Sequence, residues 1–211
     1  MTSLSTLCLL VAVVFSALDW VAVARGSKMV EYVAKPAATA AFLVTAATLD
    51  AAHGAPWGWR VAALVFCFLG DVFLMLPRDA FVPGLASFAV AQVLLTVSFV
   101  LQEPTLPGLV AGLVVAVPVI YVLARRFIGG LSASGHRDLV VPVAVYMTVI
   151  TAMVVSAVAG GTPSGIAGAV MFMASDSLIA ETRFVKPRGW HGVAIMVTYH
   201  LALAGLVLGL L

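Results

Sequence analysis

The stretch FCFLGDVFLMLPRD, residues 66–79, places a carboxylate, Asp71, inside a run that otherwise reads as a membrane-crossing helix. A charged side chain near the middle of such a helix costs about 2.5–3.5 kcal/mol on insertion scales. An ionisable residue at that depth is therefore a functional-site candidate.

The rest of the chain supports the membrane reading. Its 211 residues are 63% hydrophobic and only 9% charged, against about 25% charged in soluble domains. A net charge of +2, without a Lys/Arg run, speaks against a nucleic-acid partner. Cys8 and Cys67 both lie in apolar segments and form neither a disulfide framework nor a metal set. No metal or other cofactor is expected. Residues 1–24 end in Ala-Val-Ala, like a signal-peptidase box, yet no Lys or Arg precedes the apolar run. A retained first span is the expectation.

Runs of about 20 apolar residues, long enough to cross the hydrocarbon core, occur at about 4–24, 33–52, 58–77, 81–101, 105–124, 139–159, 163–182 and 191–211. The expectation is an all-α integral membrane protein, a bundle of about eight transmembrane helices in a single domain, 1–211. Loops one, three, five and seven with their flanks hold Arg25, Lys28, Lys35, Arg78, Arg125, Arg126, Arg137, Arg183, Lys186 and Arg188, against Arg60 alone elsewhere. That asymmetry puts the odd loops in the cytoplasm and both termini outside it.

The third and seventh spans then run in the same direction. Asp71 precedes Arg78 by seven residues, and Asp176 precedes Arg183 by seven. At 1.5 Å per residue, both carboxylates lie about 10 Å above a cytoplasmic-end arginine. Equal depth permits a pair, and the four-span offset permits a parallel four-plus-four repeat. Tyr32, Lys35, Tyr146, Tyr199 and His200 gather near that level, with Gln92 deeper. A water-accessible cavity lined by such groups would let the membrane tolerate them.

Each residue also has a plainer reading. The aspartate pair can order helix packing. Lys35 can snorkel to the interface, and the rim arginines Arg78 and Arg183 can serve topology alone. The tyrosines and Gln92 can be packing residues with satisfied polar ends. Asp19, beside Trp20 near a span end, reads as an interfacial, solvated carboxylate. His53, His136 and His191 fall in loops or at edges, and His200 turns to another face than Tyr199. Ser175 and Ser177, flanking Asp176, read as local hydrogen-bond partners rather than nucleophiles. Gly108/Gly112, Gly161/Gly165 and Gly205/Gly209 are small-residue packing spacings.

The pieces KPAATAAFL (35–43), LGDVFLML (69–76), FVPGLASFAVAQ (81–92), VYMTVITAMVVSA (145–157), GAVMFMASDSLIA (168–180) and Tyr199 occur in one order along most of the chain. In these the sequence resembles the YhhN-like lysoplasmalogenase family of multi-pass membrane hydrolases. Gly-Asp in the third span with Ser-Asp-Ser in the seventh is the most specific part. Where that family usually shows His and, three residues later, Tyr, this chain has Gln92 and Leu95. The resemblance implies cleavage of the vinyl-ether bond of lysoplasmalogens to a fatty aldehyde and a glycerophospho-alcohol. Its substrate would be a lysophospholipid, met among membrane lipids. An Ala-, Val- and Gly-rich composition suggests a bacterial plasma membrane.

Two carboxyls suit that chemistry. Vinyl-ether hydrolysis needs a proton at the β-carbon, then water at the oxocarbenium-like cation. In an apolar site two carboxyls share charge poorly, so one keeps its proton as acid while the other serves as base, as in glycoside hydrolysis. Asp71 and Asp176 take these catalytic roles jointly. Lys35, Tyr146, Tyr199 and Gln92 are candidate substrate or supporting contacts, and Arg78 and Arg183 face a head-group phosphate. An intramembrane aspartyl protease fits less well, because the first glycine of Gly-x-Gly-Asp is replaced by Phe68. The non-enzyme alternative is a proton-coupled transporter using the same aspartates. It calls for matching broken helices in two halves, and Pro118 and Pro142 do not match.

Overall fold

The computed structural model describes residues 2–49, 54–76 and 80–211. Among these residues the ordered elements are eight α-helices: α1 (Ser3–Ala24), α2 (Lys28–Ala47), α3 (Ala55–Met75), α4 (Phe81–Val100), α5 (Leu106–Ala133), α6 (Val140–Gly160), α7 (Pro163–Phe184) and α8 (His191–Leu208). A 3-10 turn, Arg137–Leu139, leads into α6. Seven of the eight are long and apolar enough to cross a membrane; the exception is α2, which carries Lys28, Glu31 and Lys35. The chain is an all-α, multi-pass membrane protein.

Local chemistry accounts for the helix starts. Thr2, Thr105 and Thr162 each accept a backbone N–H bond through the side-chain oxygen, from Ser5, Gly108 and Gly165. Proline occupies the first turn of α3, α5 and α7, where its missing N–H costs nothing.

Each of the eight expected segments forms a helix among the described residues, seven of them with the apolar length of a span, and two shifts are informative. α5 runs on to Ala133, well past the expected end at 124, so RRFIGG is helix rather than loop. Its last turns pack on the end of α7: a Cβ at Gly130 would meet the Phe184 carbonyl, and Arg126 pairs with Glu181. α2 begins at Lys28 rather than 33, which moves Lys35 two turns into the helix.

Consecutive helices pair as hairpins, α1 with α2, α3 with α4, α5 with α6 and α7 with α8, and α4 packs on α6. Contacts at the helix ends show the alternation. Phe81 at the start of α4, Val143 at the start of α6 and Phe184 at the end of α7 share one cluster. At the other end, Trp57 Nε1 donates to the Ala46 carbonyl and Ser98 Oγ to the Pro56 carbonyl. Helices α7 and α8 also approach closely: a methyl added to Gly168 would lie 2.7 Å from the Leu206 nitrogen. Small residues permit that backbone contact.

Arg60, the lone basic residue outside the odd loops and flanks, is not a loop charge but is fully buried. Its Nε donates to Ser98 Oγ (3.2 Å) and its guanidinium donates to the Leu206 carbonyl (3.3 Å) in the last turn of α8. The guanidinium carbon lies 4.6 Å from the Phe99 ring centroid. It satisfies a carbonyl that a helix end leaves without a partner.

Candidate active site

Two carboxylate clusters occupy the middle of the bundle. The first centres on Asp71, which is fully buried in α3. Oδ2 accepts from Thr39 Oγ1 (2.6 Å) and from the Tyr199 hydroxyl (2.7 Å). Oδ1 lies 3.1 Å from Lys35 Nζ, an ion pair by distance though not aligned as a hydrogen bond. Lys35 and Thr39 are one turn apart on α2 and so face α3 together. Both partners of the ion pair are almost wholly shielded, with side chains 8% and 1% exposed. The ammonium also lies 5.8 Å from the centroid of the Tyr199 ring.

The second cluster centres on Asp176 in α7. Its Oδ2 accepts from Gln92 Nε2 (3.0 Å) on α4 and, through a very short bond, from the Tyr146 hydroxyl on α6. Gln92 Nε2 also donates to the Tyr146 oxygen at 2.6 Å, closing a triangle across three helices. These bonds fall on Oδ2, while the carboxyl itself lines a pocket. No cation pairs with Asp176 among the described residues.

That pocket, between α4, α5, α6 and α7, has a cavity volume of about 50 Å³, and about 620 Å³ free of protein atoms once the open space at its mouth is included. Asp176 and Tyr146 lie among walls that are otherwise almost wholly apolar, including Leu85, Ile120, Phe127 and Ile150. Asp71 is not part of the lining. Phe88 stands between the two clusters: it lines the pocket and packs edge-on against Tyr199, with ring centroids 5.9 Å apart. Gly70 lets it approach, since a Cβ there would sit 2.7 Å from the Phe88 ring.

The structure thus gathers Lys35, Asp71 and Tyr199 into one set and Gln92, Tyr146 and Asp176 into another. The two aspartates share no hydrogen bond, though each carboxylate acts electrostatically on Cys67, one turn before Asp71. Arg183 lies with its guanidinium 4.1 Å from the Phe81 ring centroid, and Phe81 lines the pocket at the α4 and α7 ends. Arg78 and His53 lie outside the described residues.

Several expectations are corrected. Tyr32 is 47% exposed and joins neither cluster. Asp19 is not interfacial but fully buried, because α1 packs it toward α2 and α8. His191 does lie at a span edge, as the first residue of α8, but it is buried, its Nδ1 lying 2.7 Å from Thr182 Oγ1. Ser175 reaches across to the Ile195 carbonyl of α8, while Ser177 bonds locally to the Met173 carbonyl. Thr39 was missed. Its only signal was the one-turn spacing from Lys35, which a backbone-bonded hydroxyl would share.

Comparison with known proteins adds the relationship. The YhhN family model matches residues 30–210. The chain belongs to the YhhN family. It is 34% identical to human lysoplasmalogenase TMEM86B over 140 residues, 66% of this chain and 58% of that protein. It is 31% identical to a lysoplasmalogenase of Mycobacterium tuberculosis over 182 residues, 82% of this chain and 68% of that one. The pig lysoplasmalogenase TMEM86B is 31% identical over 66% of this chain and 58% of its own length. The match therefore spans less than two thirds of the two mammalian proteins. No solved structure matches the chain. Both carboxylate clusters fall inside the YhhN match; Asp19 falls outside it.

Proposed function

We propose that this YhhN protein hydrolyses the vinyl-ether bond of lysoplasmalogen-type lysolipids, with Asp176 as the acid that meets the substrate and Asp71 as the charged partner behind it. One observation carries the reading: a carboxyl without a cation, held by Gln92 and Tyr146, faces an apolar pocket, while a second carboxylate, ion-paired to Lys35, stands beyond Phe88. The printed names of the relatives support the substrate class.

In this reading the lysolipid chain lies in the pocket, with its head-group phosphate toward Arg183 and Arg78. Asp176 gives its proton to the β-carbon of the alkene. Positive charge then develops on the α-carbon and ether oxygen, where the Asp176 and Asp71 carboxylates stabilise it. Water adds to the α-carbon and passes a proton back to the carboxylate pair. The hemiacetal collapses to a fatty aldehyde and a glycerophospho-alcohol, with one water consumed per turnover. Gln92 supplies from α4 an N–H donor at a position where the resemblance led one to look for imidazole. Lys35, Thr39 and Tyr199 hold Asp71 charged and oriented.

The proposed setting is a single domain, 1–211, in a bacterial plasma membrane. Both termini lie outside the cytoplasm, and the arginine-bearing pocket end faces it. The test is aldehyde release from a lysoplasmalogen by the purified protein, beside Asp71→Asn, Asp176→Asn and an ester lysolipid. Cleavage of the vinyl ether alone, lost in both folded variants, supports the reading. An inert wild type whose liposomes show aspartate-dependent proton flux would replace it with the transporter.

A further inference from the structure

Behind the Lys35–Asp71 ion pair, on the side away from the lipid pocket, lies a group of buried polar atoms with no part in the scheme above. Asp19 of α1 is fully buried, and neither of its carboxylate oxygens has a hydrogen-bond partner. Among the described residues it forms no ion pair; Lys35 exerts the largest attraction on it, from a longer distance. His200 of α8 is 2% exposed. Its Nδ1 accepts a 3.0 Å hydrogen bond from the indole N–H of Trp20, the residue after Asp19. A neutral imidazole whose Nδ1 accepts carries its proton on Nε2, and that Nε2 is buried and unpartnered.

One unmet donor and two unmet acceptors are therefore buried where α1, α2 and α8 pack together. They lie near the Asp71 cluster: His200 follows Tyr199, whose hydroxyl bonds Asp71, and Asp19 is within electrostatic reach of both Lys35 and Asp71. Buried polar groups in proteins are paired or hydrated, and unpartnered donors and acceptors at one helix junction are the groups that internal waters satisfy. The hydrolysis also needs water at a cation whose other side is filled by an acyl chain and screened by Phe88.

We infer that Asp19 and His200 frame a buried water site that opens on the Lys35–Asp71 ion pair, and that hydrolytic water reaches the reaction from this side while the lipid enters from the other. The second clause rests on the hydrolase reading; the water site itself does not. Asp19 touches no substrate and acts as a positioning residue, contributed by a helix whose Asp19 lies outside the stretch that the YhhN model matches.

Two measurements test it. An experimental structure that resolves ordered water should show a water within hydrogen-bond distance of both the Asp19 carboxylate and His200 Nε2. A dry contact of Asp19 with His200 or Lys35 overturns the proposal. In the purified enzyme, Asp19→Leu should leave the melting temperature close to that of wild type, since it removes a buried carboxylate and orphans no ion-pair partner. It should also lower kcat about 10-fold with KM for the lysolipid unchanged, and Asp19→Asn should recover part of the loss. A purely structural Asp19 predicts a stable Asp19→Leu variant with wild-type kcat, which overturns the proposal. Should Asp19→Leu fail to fold, Asp19→Asn is read alone: a reduced kcat at unchanged KM supports the site, and wild-type kcat overturns it. A wild type that holds the water yet releases no aldehyde refutes the hydrolase reading and leaves the water site standing.

Discussion

The two carboxylates sit in opposite kinds of surroundings. Asp71 is held on its own side of Phe88: a cation, a threonine and a tyrosine surround it, and it does not line the apolar pocket. Asp176 is held by two neutral donors and faces an apolar pocket. A buried ion pair is costly to break from one side, because the remaining charge has nowhere to go. A carboxyl held by neutral donors leaves no such orphan when altered. In the proposed scheme the same residue type thus serves anchorage and charge in one place and contact with substrate in the other.

The largest effect should come from Asp176→Asn, which removes the acid: aldehyde release falls about 1,000-fold while the melting temperature stays near that of wild type. Asp71→Asn should lower activity as well, but it leaves the Lys35 ammonium buried and unpaired. Unfolding in detergent should show a loss of about 3–5 kcal/mol. Pairing it with Lys35→Met should return most of that stability and none of the activity. Equal destabilisation by the two asparagine variants would erase the contrast.

Smaller substitutions sharpen it. Ile150→Trp narrows the pocket without touching either carboxylate, so KM for long-chain lysolipids should rise about 10-fold, with short chains spared. A uniform fall in kcat across chain lengths would instead place the chain elsewhere. The smallest change belongs to Arg126→Ala, where α5 meets the end of α7. The Arg126–Glu181 bond is bidentate, but the Arg126 side chain is 50% exposed. Solvent screens such a pair, so its loss should leave the melting temperature close to that of wild type.

Much of this was legible in the chain because the bilayer allows so few solutions. Apolar runs of bilayer length can only be helices, and a carboxylate such as Asp71 or Asp176 stands out against them by its cost. Lys35, Tyr146, Tyr199 and Gln92 were legible by depth, but depth does not say which carboxylate each one serves. The division into two clusters depends on helix rotation about its own axis, which packing partners such as Gly70 and Phe88 decide. Asp19 and Arg60 were misread because charges near span ends usually reach water. Here α1 and α3 turn those positions inward instead. The length of α5 was hidden for a related reason: Arg125 and Arg126 look like loop residues until Glu181 and the end of α7 are seen beside them.

The most direct test of the contrast is a structure with a saturated alkyl-ether lysolipid bound, since this analogue has no alkene to protonate and is not turned over. The account predicts the chain between α4, α5, α6 and α7, its ether oxygen beside Asp176, and Asp71 still paired to Lys35 beyond Phe88. An ether oxygen against Asp71, with Asp176 untouched, would contradict it.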